Sequence, residues 1–386
     1  MHDFQLDGDR LEELLSRARA RAATGYVESV SERARCGNGL DAEDMAVLWF
    51  AEQLDTEAVY QLATAARMHH PRHLETFSPL YLTNTCDAEC HMCGMRRDND
   101  AIERDTADRT RVQQQLETLR RRGMRAVALL TGEYQSPRRS WAMGYVNEAL
   151  HLALEMQFAH VILNIGGIDD KEFAPLLAGI ERDPGGHVKP PITLSNFQET
   201  YCRTHYAKFM GSNPDNPRAD FDRRLAGFDR AYRAGLRSAN PGILLGLNRN
   251  LGWELAAFAT HARHLRSRGM QVYLSVPRLR QIAGKHDQRG ASDEQFVRLV
   301  SVLSMGLPDC KIIITTREPV YMQHKLVPIV NVLSAGSSAV APYTDTTAEY
   351  RIETSQFQVV DQRPFEEILR DHLSPGASIV NFQPPA

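Results

Sequence analysis

The chain has 386 residues, of which 24% are charged and 42% hydrophobic, and its formal net charge is −3. This balance gives no electrostatic case for nucleic acid or an anionic membrane surface, and no apolar run approaches a membrane span or a secretory signal. The length allows two domains, or one α/β barrel with additions.

Residues 1 to about 75 read as a helical extension. Leu11, Leu14, Leu15 and Ala18 fall at helical spacing, and a second helical stretch covers 41–67. Asp41 precedes Ala42-Glu43-Asp44, an N-cap followed by acidic residues in the first turn. The His69-His70-Pro71 run with His73 reads as a polar junction, because a loop interrupted by proline seldom fixes imidazole geometry. From about residue 79 the pattern becomes strand, loop and helix in repetition. Strands are expected at 80–83, 126–130, 161–165, 192–194, 243–247, 272–276, 312–315 and 329–333. Helices are expected at 112–122, 221–234, 254–268 and 293–303, with Gly123, Gly235 and Gly269 closing three of them. Arg120-Arg121-Arg122, with Arg125, stands at a helix C-terminus, where the dipole favours cations. Eight alternating units imply a parallel (β/α)8 TIM barrel over 76–345. Residues 346–386 form a C-terminal tail packing on it, with a short helix at 365–372.

Cys86, Cys90 and Cys93 stand together with C-x3-C-x2-C spacing directly after the first expected strand. Closed zinc and iron–sulfur sites take four protein ligands. Three thiolates on one loop can hold three corners of a cubane 4Fe–4S cluster and leave the fourth iron open. The competing reading is a three-cysteine zinc site completed by His91 or a remote residue, although zinc loops usually come as paired two-cysteine knuckles. Cys202 reads as a small buried residue rather than a fourth ligand. Six cysteines in a chain this long are no disulfide framework, and an oxidation-sensitive loop points to a reducing cytoplasm.

The cysteine spacing resembles that of the radical S-adenosylmethionine (SAM) enzymes, in which the open iron chelates SAM and an electron cleaves it to a 5′-deoxyadenosyl radical. Thr131-Gly132-Glu133 follows the second strand and resembles their Gly-Gly-Glu motif, with Thr in the first place. Phe197-Gln198-Glu199-Thr200-Tyr201 resembles the Gln-Glu-Thr-Tyr run of the aromatic amino acid lyase branch. The 242–247 segment resembles that branch's glycine-bounded fifth strand, and 276–280 its sixth strand end, where Arg278 reads equally as an ion-pair partner or a ligand contact. On this resemblance Gly132, Glu133, Glu199 and Met92 bind SAM. Tyr81, Arg317 and Ser334 match the substrate-holding residues of the tryptophan lyases that make 3-methyl-2-indolic acid for thiopeptide antibiotics. The resemblance implies a 4Fe–4S cluster, SAM, an aromatic amino acid and a reductant such as a flavodoxin or ferredoxin. Two alternatives stay open: a tyrosine lyase giving p-cresol and dehydroglycine, and a non-catalytic iron–sulfur protein. The bland reading of Arg317 is an ion pair with Glu318 or another neighbour.

Overall fold

In the computed structural model, which describes residues 2–70, 73–135, 137–373 and 378–384, strand pairing decides the architecture. The strands are β1 (Leu74–Tyr81), β2 (Ala126–Leu130), β3 (His160–Asn164), β4 (Ile192–Ser195), β5 (Ser238–Asn240), β6 (Gln271–Ser275), β7 (Lys311–Thr315) and β8 (Val332–Ser334). Each pairs in parallel with the next, and β1 pairs with both β8 and β2, so these strands close into a ring. Parallel neighbours need crossovers, and helices outside the ring supply them. The result is the (β/α)8 barrel.

Strands of such a barrel are covered on both faces, which explains the uninterrupted apolar run of β2, buried throughout. Side chains alternate across each strand: Ala128 and Leu130 face the barrel cavity, as do Ile162 and Asn164 of β3.

β5 departs from expectation. It lies at Ser238–Asn240, while 243–247 is an extended loop beyond the strand end that makes isolated bridges to Glu199 and Arg278. The apolar signal missed it because the interior here is polar. Thr193 Oγ1 lies 2.6 Å from Ser238 Oγ, Ser195 donates to Asn240 Oδ1 at 2.9 Å, and Asn240 donates to Ser275 Oγ at 2.9 Å. These buried groups satisfy one another, which removes the usual penalty for placing them inside. β1 begins at Leu74, ahead of the expected position, with Pro79 inside it opposite Ala128. β8 starts at Val332, after a 3₁₀ turn at Val327–Ile329.

The N-terminal residues form α1 (Gly8–Ala22), α2 (Tyr26–Arg35), α3 (Ala42–Phe50) and α4 (Thr56–Arg67). Asp41 caps α3 by accepting from the Asp44 N–H at 2.8 Å. The expected single helix over 41–67 breaks at 51–55, where Asp55 starts α4 with its own cap to the Ala58 N–H. The α3 end is held by Arg298, which donates to the carbonyls of Leu48, Trp49, Ala51 and Leu54 at 2.6–3.1 Å. His70 contacts the Gly37 carbonyl, while Pro71 lies outside the described residues.

The tail is pinned to the barrel at two places. A short strand, β9 (Ile379–Val380), pairs with the start of β1 where β2 has not yet begun. The Phe365–Asp371 helix is gripped by Arg122, whose Nε and Nη2 reach the Glu366 carboxylate at 2.5 and 2.7 Å. Its guanidinium also covers the Phe365 ring at 4.3 Å. Arg122 is 4% exposed, so the middle of the basic run is a buried clamp.

Arg122→Met keeps the stem but strands Glu366 without its charge partner. Breaking a buried pair from one side costs ~3–5 kcal/mol. Urea denaturation is expected to show an unfolding free energy lower by that amount, with the midpoint falling accordingly; an unchanged midpoint would mean the tail is not held by this pair.

Candidate active site

The cavity at the C-terminal mouth of the barrel contains about 1470 Å³ of atom-free space, part of it open to solvent. That volume admits several bound groups together. Of the six cysteines, Cys86, Cys90 and Cys93 line it, and Cys36, Cys202 and Cys310 do not. Cys202 instead starts the Arg203–Met210 helix, with its Sγ 3.0 Å from His205 Nδ1.

The cysteine loop is stitched to the segment after β2. The Asp87 N–H donates to the Glu133 carbonyl at 2.8 Å, and the Glu133 N–H donates to Cys86 Sγ at 3.3 Å. Gln135 donates its N–H to the Asp87 carboxylate at 3.0 Å. Gly132 sits at the closest approach. A Cβ there would lie 2.1 Å from the Thr85 carbonyl oxygen and 2.7 Å from Cys86 Cα. The glycine therefore serves the seating of the cysteine loop, a role beyond the SAM contact expected of it. Arg104 ties the loop's two ends, donating to the carbonyls of Asn84 and Met95 at 2.8 and 2.7 Å.

Burial pushes the thiols up, Cys86 to about 12, with Cys90 and Cys93 raised for the same reason. Thiols in such surroundings need a cation to stay deprotonated. Among the described residues no three His, Cys, Asp or Glu side chains converge on a single-ion site. His91 is exposed and does not line the cavity, so it completes no zinc site here. A cubane spreads its thiolates around a body larger than one ion, and three thiols around one cavity, one buried and two half-buried, fit that group.

Glu133 and Glu199 both reach the cavity, and two arginines join them. Arg224 Nη1 lies 2.7 Å from Glu133 Oε1, and the Gly167 N–H donates to Oε2 at 3.2 Å. Arg218 spans the carboxylates, 3.2 Å from Glu133 and 2.8 Å from Glu199. Burial alone would raise the Glu133 carboxyl, but Arg224 and Arg218 outweigh it and hold it below the usual range. Arg218 and Arg224 were missed from sequence because they carry no motif: Arg218 follows a polar, proline-bounded loop and Arg224 sits in a short helix.

The Gln-Glu-Thr-Tyr run divides its labour. Glu199, with φ of 67°, turns into the cavity. Thr200 and the Tyr201 N–H bind the buried Glu254 carboxylate at 2.6 and 2.9 Å, and the Tyr201 hydroxyl meets His261 Nδ1 at 2.7 Å. Two members of the motif thus hold the third in place.

Arg317, Ser334, Tyr81 and Met92 all line the cavity. Arg317 makes no ion pair with a carboxylate among the described residues. Glu318, its sequence neighbour, is occupied by Arg278, whose Nε stands 3.0 Å away, and by Arg280 at 3.0 Å. Arg278 also binds Asp293, so it is a structural ion-pair residue. Burial lowers the Arg317 guanidinium to about 10, still charged at neutral pH. The Phe357 ring from the tail packs on it, 3.1 Å from centroid to guanidinium carbon. Tyr81 is 2% exposed and donates to Gln356 Oε1 at 2.6 Å. Gln356 and Phe357 were invisible in sequence because the tail has no periodic pattern there.

Comparison with known proteins bears on this arrangement. The chain is 28% identical over 349 residues to 2-iminoacetate synthase of Escherichia coli, covering 87% of this chain and 85% of that protein. The Salmonella typhimurium enzyme of the same name is 27% identical over 313 residues. The crystal structure of HydG, a maturase of the FeFe-hydrogenase, superposes with a TM-score of 0.79 and 27% identity, covering 95% of this chain and 78% of that one. Over most of its length the chain is similar to these radical SAM enzymes. Residues 275–376 match the biotin and thiamin synthesis associated domain. Methylornithine synthase shares the fold, with a TM-score of 0.66 at 19% identity, covering 89% of this chain and 94% of that one. A 4Fe–4S cluster and SAM are the cofactors of this lyase, and the cysteine loop and carboxylate–arginine wall form a cavity that fits them.

Gly132→Ala should drive the new methyl into the cysteine loop, with iron retained after anaerobic reconstitution falling well below the parental content. Gly144→Ala is the control: a methyl group added there would meet nothing within 4 Å, and alanine in a helix is ~0.5–1 kcal/mol better than glycine. Full iron in the Gly132→Ala protein would remove the close-approach role.

Proposed function

We propose that this lyase cleaves a bond at Cα of an aromatic amino acid, with L-tyrosine the first candidate. The observation that carries the reading is Arg317, a half-buried arginine set deep in the cavity wall with no carboxylate partner among the described residues. A desolvated cation of this kind costs free energy unless an anion joins it, and a planar guanidinium suits a carboxylate through two parallel hydrogen bonds. Ser334 stands on β8 at the same wall and can add a hydroxyl to that carboxylate, with Tyr81 closing the side nearest the cluster loop.

The curated relatives are 2-iminoacetate synthases. 2-Iminoacetate, or dehydroglycine, is what remains when an amino acid loses its side chain at the Cα–Cβ bond, which is the tyrosine-lyase outcome. The narrower expectation of tryptophan rests on Tyr81, Arg317 and Ser334, and a tyrosine enzyme would use these residues in the same way. The relatives therefore favour tyrosine.

When bound, the cluster and SAM supply a 5′-deoxyadenosyl radical that takes a hydrogen from the substrate amine. The chain's part is placement. Cys86, Cys90 and Cys93 hold the cluster. Gly132, Glu133, Glu199 and Met92 are assigned to SAM, with Arg224 and Arg218 keeping Glu133 ionised and Arg218 also paired with Glu199. Arg317 fixes the carboxylate end of the substrate, which turns the amine toward the SAM side. Which bond at Cα breaks depends on this alignment, and misplacement by about an ångström is enough to spoil it.

Arg317→Leu should still assemble the cluster and form deoxyadenosine, yet lose nearly all amino-acid fragments. A desolvated charged contact is worth ~2–5 kcal/mol. Mass spectrometry of reactions supplied separately with tyrosine and tryptophan reads both substrate and loss. p-Cresol from tyrosine supports the tyrosine reading; 3-methyl-2-indolic acid from tryptophan replaces it with the other. Parental yields from Arg317→Leu would end the role of this residue as carboxylate clamp.

A further inference from the structure

Gln356 touches both the cysteine loop and the wall that carries Tyr81. Its Nε2 donates to Cys93 Sγ at 3.5 Å, and its Oε1 accepts from the Tyr81 hydroxyl at 2.6 Å. Backbone contacts fix its position: the Gly94 N–H donates to the Gln356 carbonyl at 2.9 Å, and the Gln356 N–H donates to the Ser338 carbonyl at 3.3 Å. A Cβ at Gly94 would stand 2.8 Å from that Gln356 carbonyl oxygen, so the glycine admits the tail against the loop. A primary amide presents a donor and an acceptor at opposite ends, and both ends are used. A carboxylate could not donate to the sulfur, and an apolar side chain could do neither.

We propose that Gln356 is a positioning residue that ties the Cys93 sulfur to the Tyr81 hydroxyl, raising the reduction potential of the cluster and fixing Tyr81 toward the amino-acid subsite. A hydrogen bond to a ligand sulfur favours the more negative, reduced cluster. Tyr81 in turn loses rotational freedom, because its hydroxyl has one direction in which to donate. The second half of the proposal rests on the amino-acid reading above, and the first half does not.

The test compares Gln356→Leu and Gln356→Glu after reconstitution to equal iron content. The first readout is a redox titration of the cluster followed by electron paramagnetic resonance, without SAM or substrate. Both variants lose the donor to sulfur. At one fixed solution potential the reduced-to-oxidised ratio should fall roughly fivefold to tenfold in Gln356→Leu, and at least as far in Gln356→Glu. The second readout is the substrate KM. Gln356→Glu keeps an acceptor for Tyr81 and should hold KM near the parental value, while Gln356→Leu should raise it several-fold. A parental potential in both iron-replete variants would overturn the link to Cys93. A shifted potential with parental KM in Gln356→Leu would overturn the link to Tyr81. If no aromatic amino acid is turned over by the parental enzyme, the amino-acid reading fails, and the titration still decides the cluster half.

Discussion

The close seating of the cysteine loop on the segment after β2 is the constraint on which the site depends. Gly132 leaves no room for a side chain between the two, and the backbone of Glu133 meets both Asp87 and Cys86. The strand order makes this possible, because β1 and β2 are direct parallel neighbours. The thiols and the Glu133 carboxylate therefore arrive at one place from two adjoining strand ends. Catalytic groups in these barrels collect at that end of the strands, and here the collection begins with a backbone contact.

Charge placement divides the arginines around the cavity into two kinds. Arg278, Arg218 and Arg224 are matched by carboxylates, and their burial is offset by those partners. Arg317 has no such partner among the described residues and is covered on one face by Phe357. A paired arginine keeps a wall in shape; an unpaired one waits for an anion. The tail completes the picture, since Arg122 holds the Thr344 and Thr347 carbonyls before Phe357 and the Glu366 carboxylate after it, and β9 pairs with β1 further along.

Much of this was legible in the sequence. The cysteine spacing, Thr131-Gly132-Glu133 and the Gln198–Tyr201 run mark strand ends because the chemistry there restricts residue type, and the apolar runs of β2, β3, β6 and β7 follow from burial on both faces. β5 was not legible, because Ser238 and Asn240 pair with Thr193 and Ser195 of β4 inside the barrel and leave no apolar signature. The apolar 243–247 segment beyond it drew the assignment instead. Gln356 lies 275 residues from Tyr81, and Arg218 is brought to Glu133 by a loop without periodicity. Contacts of that range are set by tertiary packing, which local pattern cannot report.

The proposed site rests on three thiols that hold a cluster with its fourth iron open to SAM. The most direct measurement is electron–nuclear double resonance on the reduced, reconstituted protein with SAM labelled by nitrogen-15 at its amino group. An open fourth iron predicts a nitrogen coupling to the cluster that appears only when SAM is present. A cluster spectrum unchanged by SAM, with no nitrogen coupling, would contradict it.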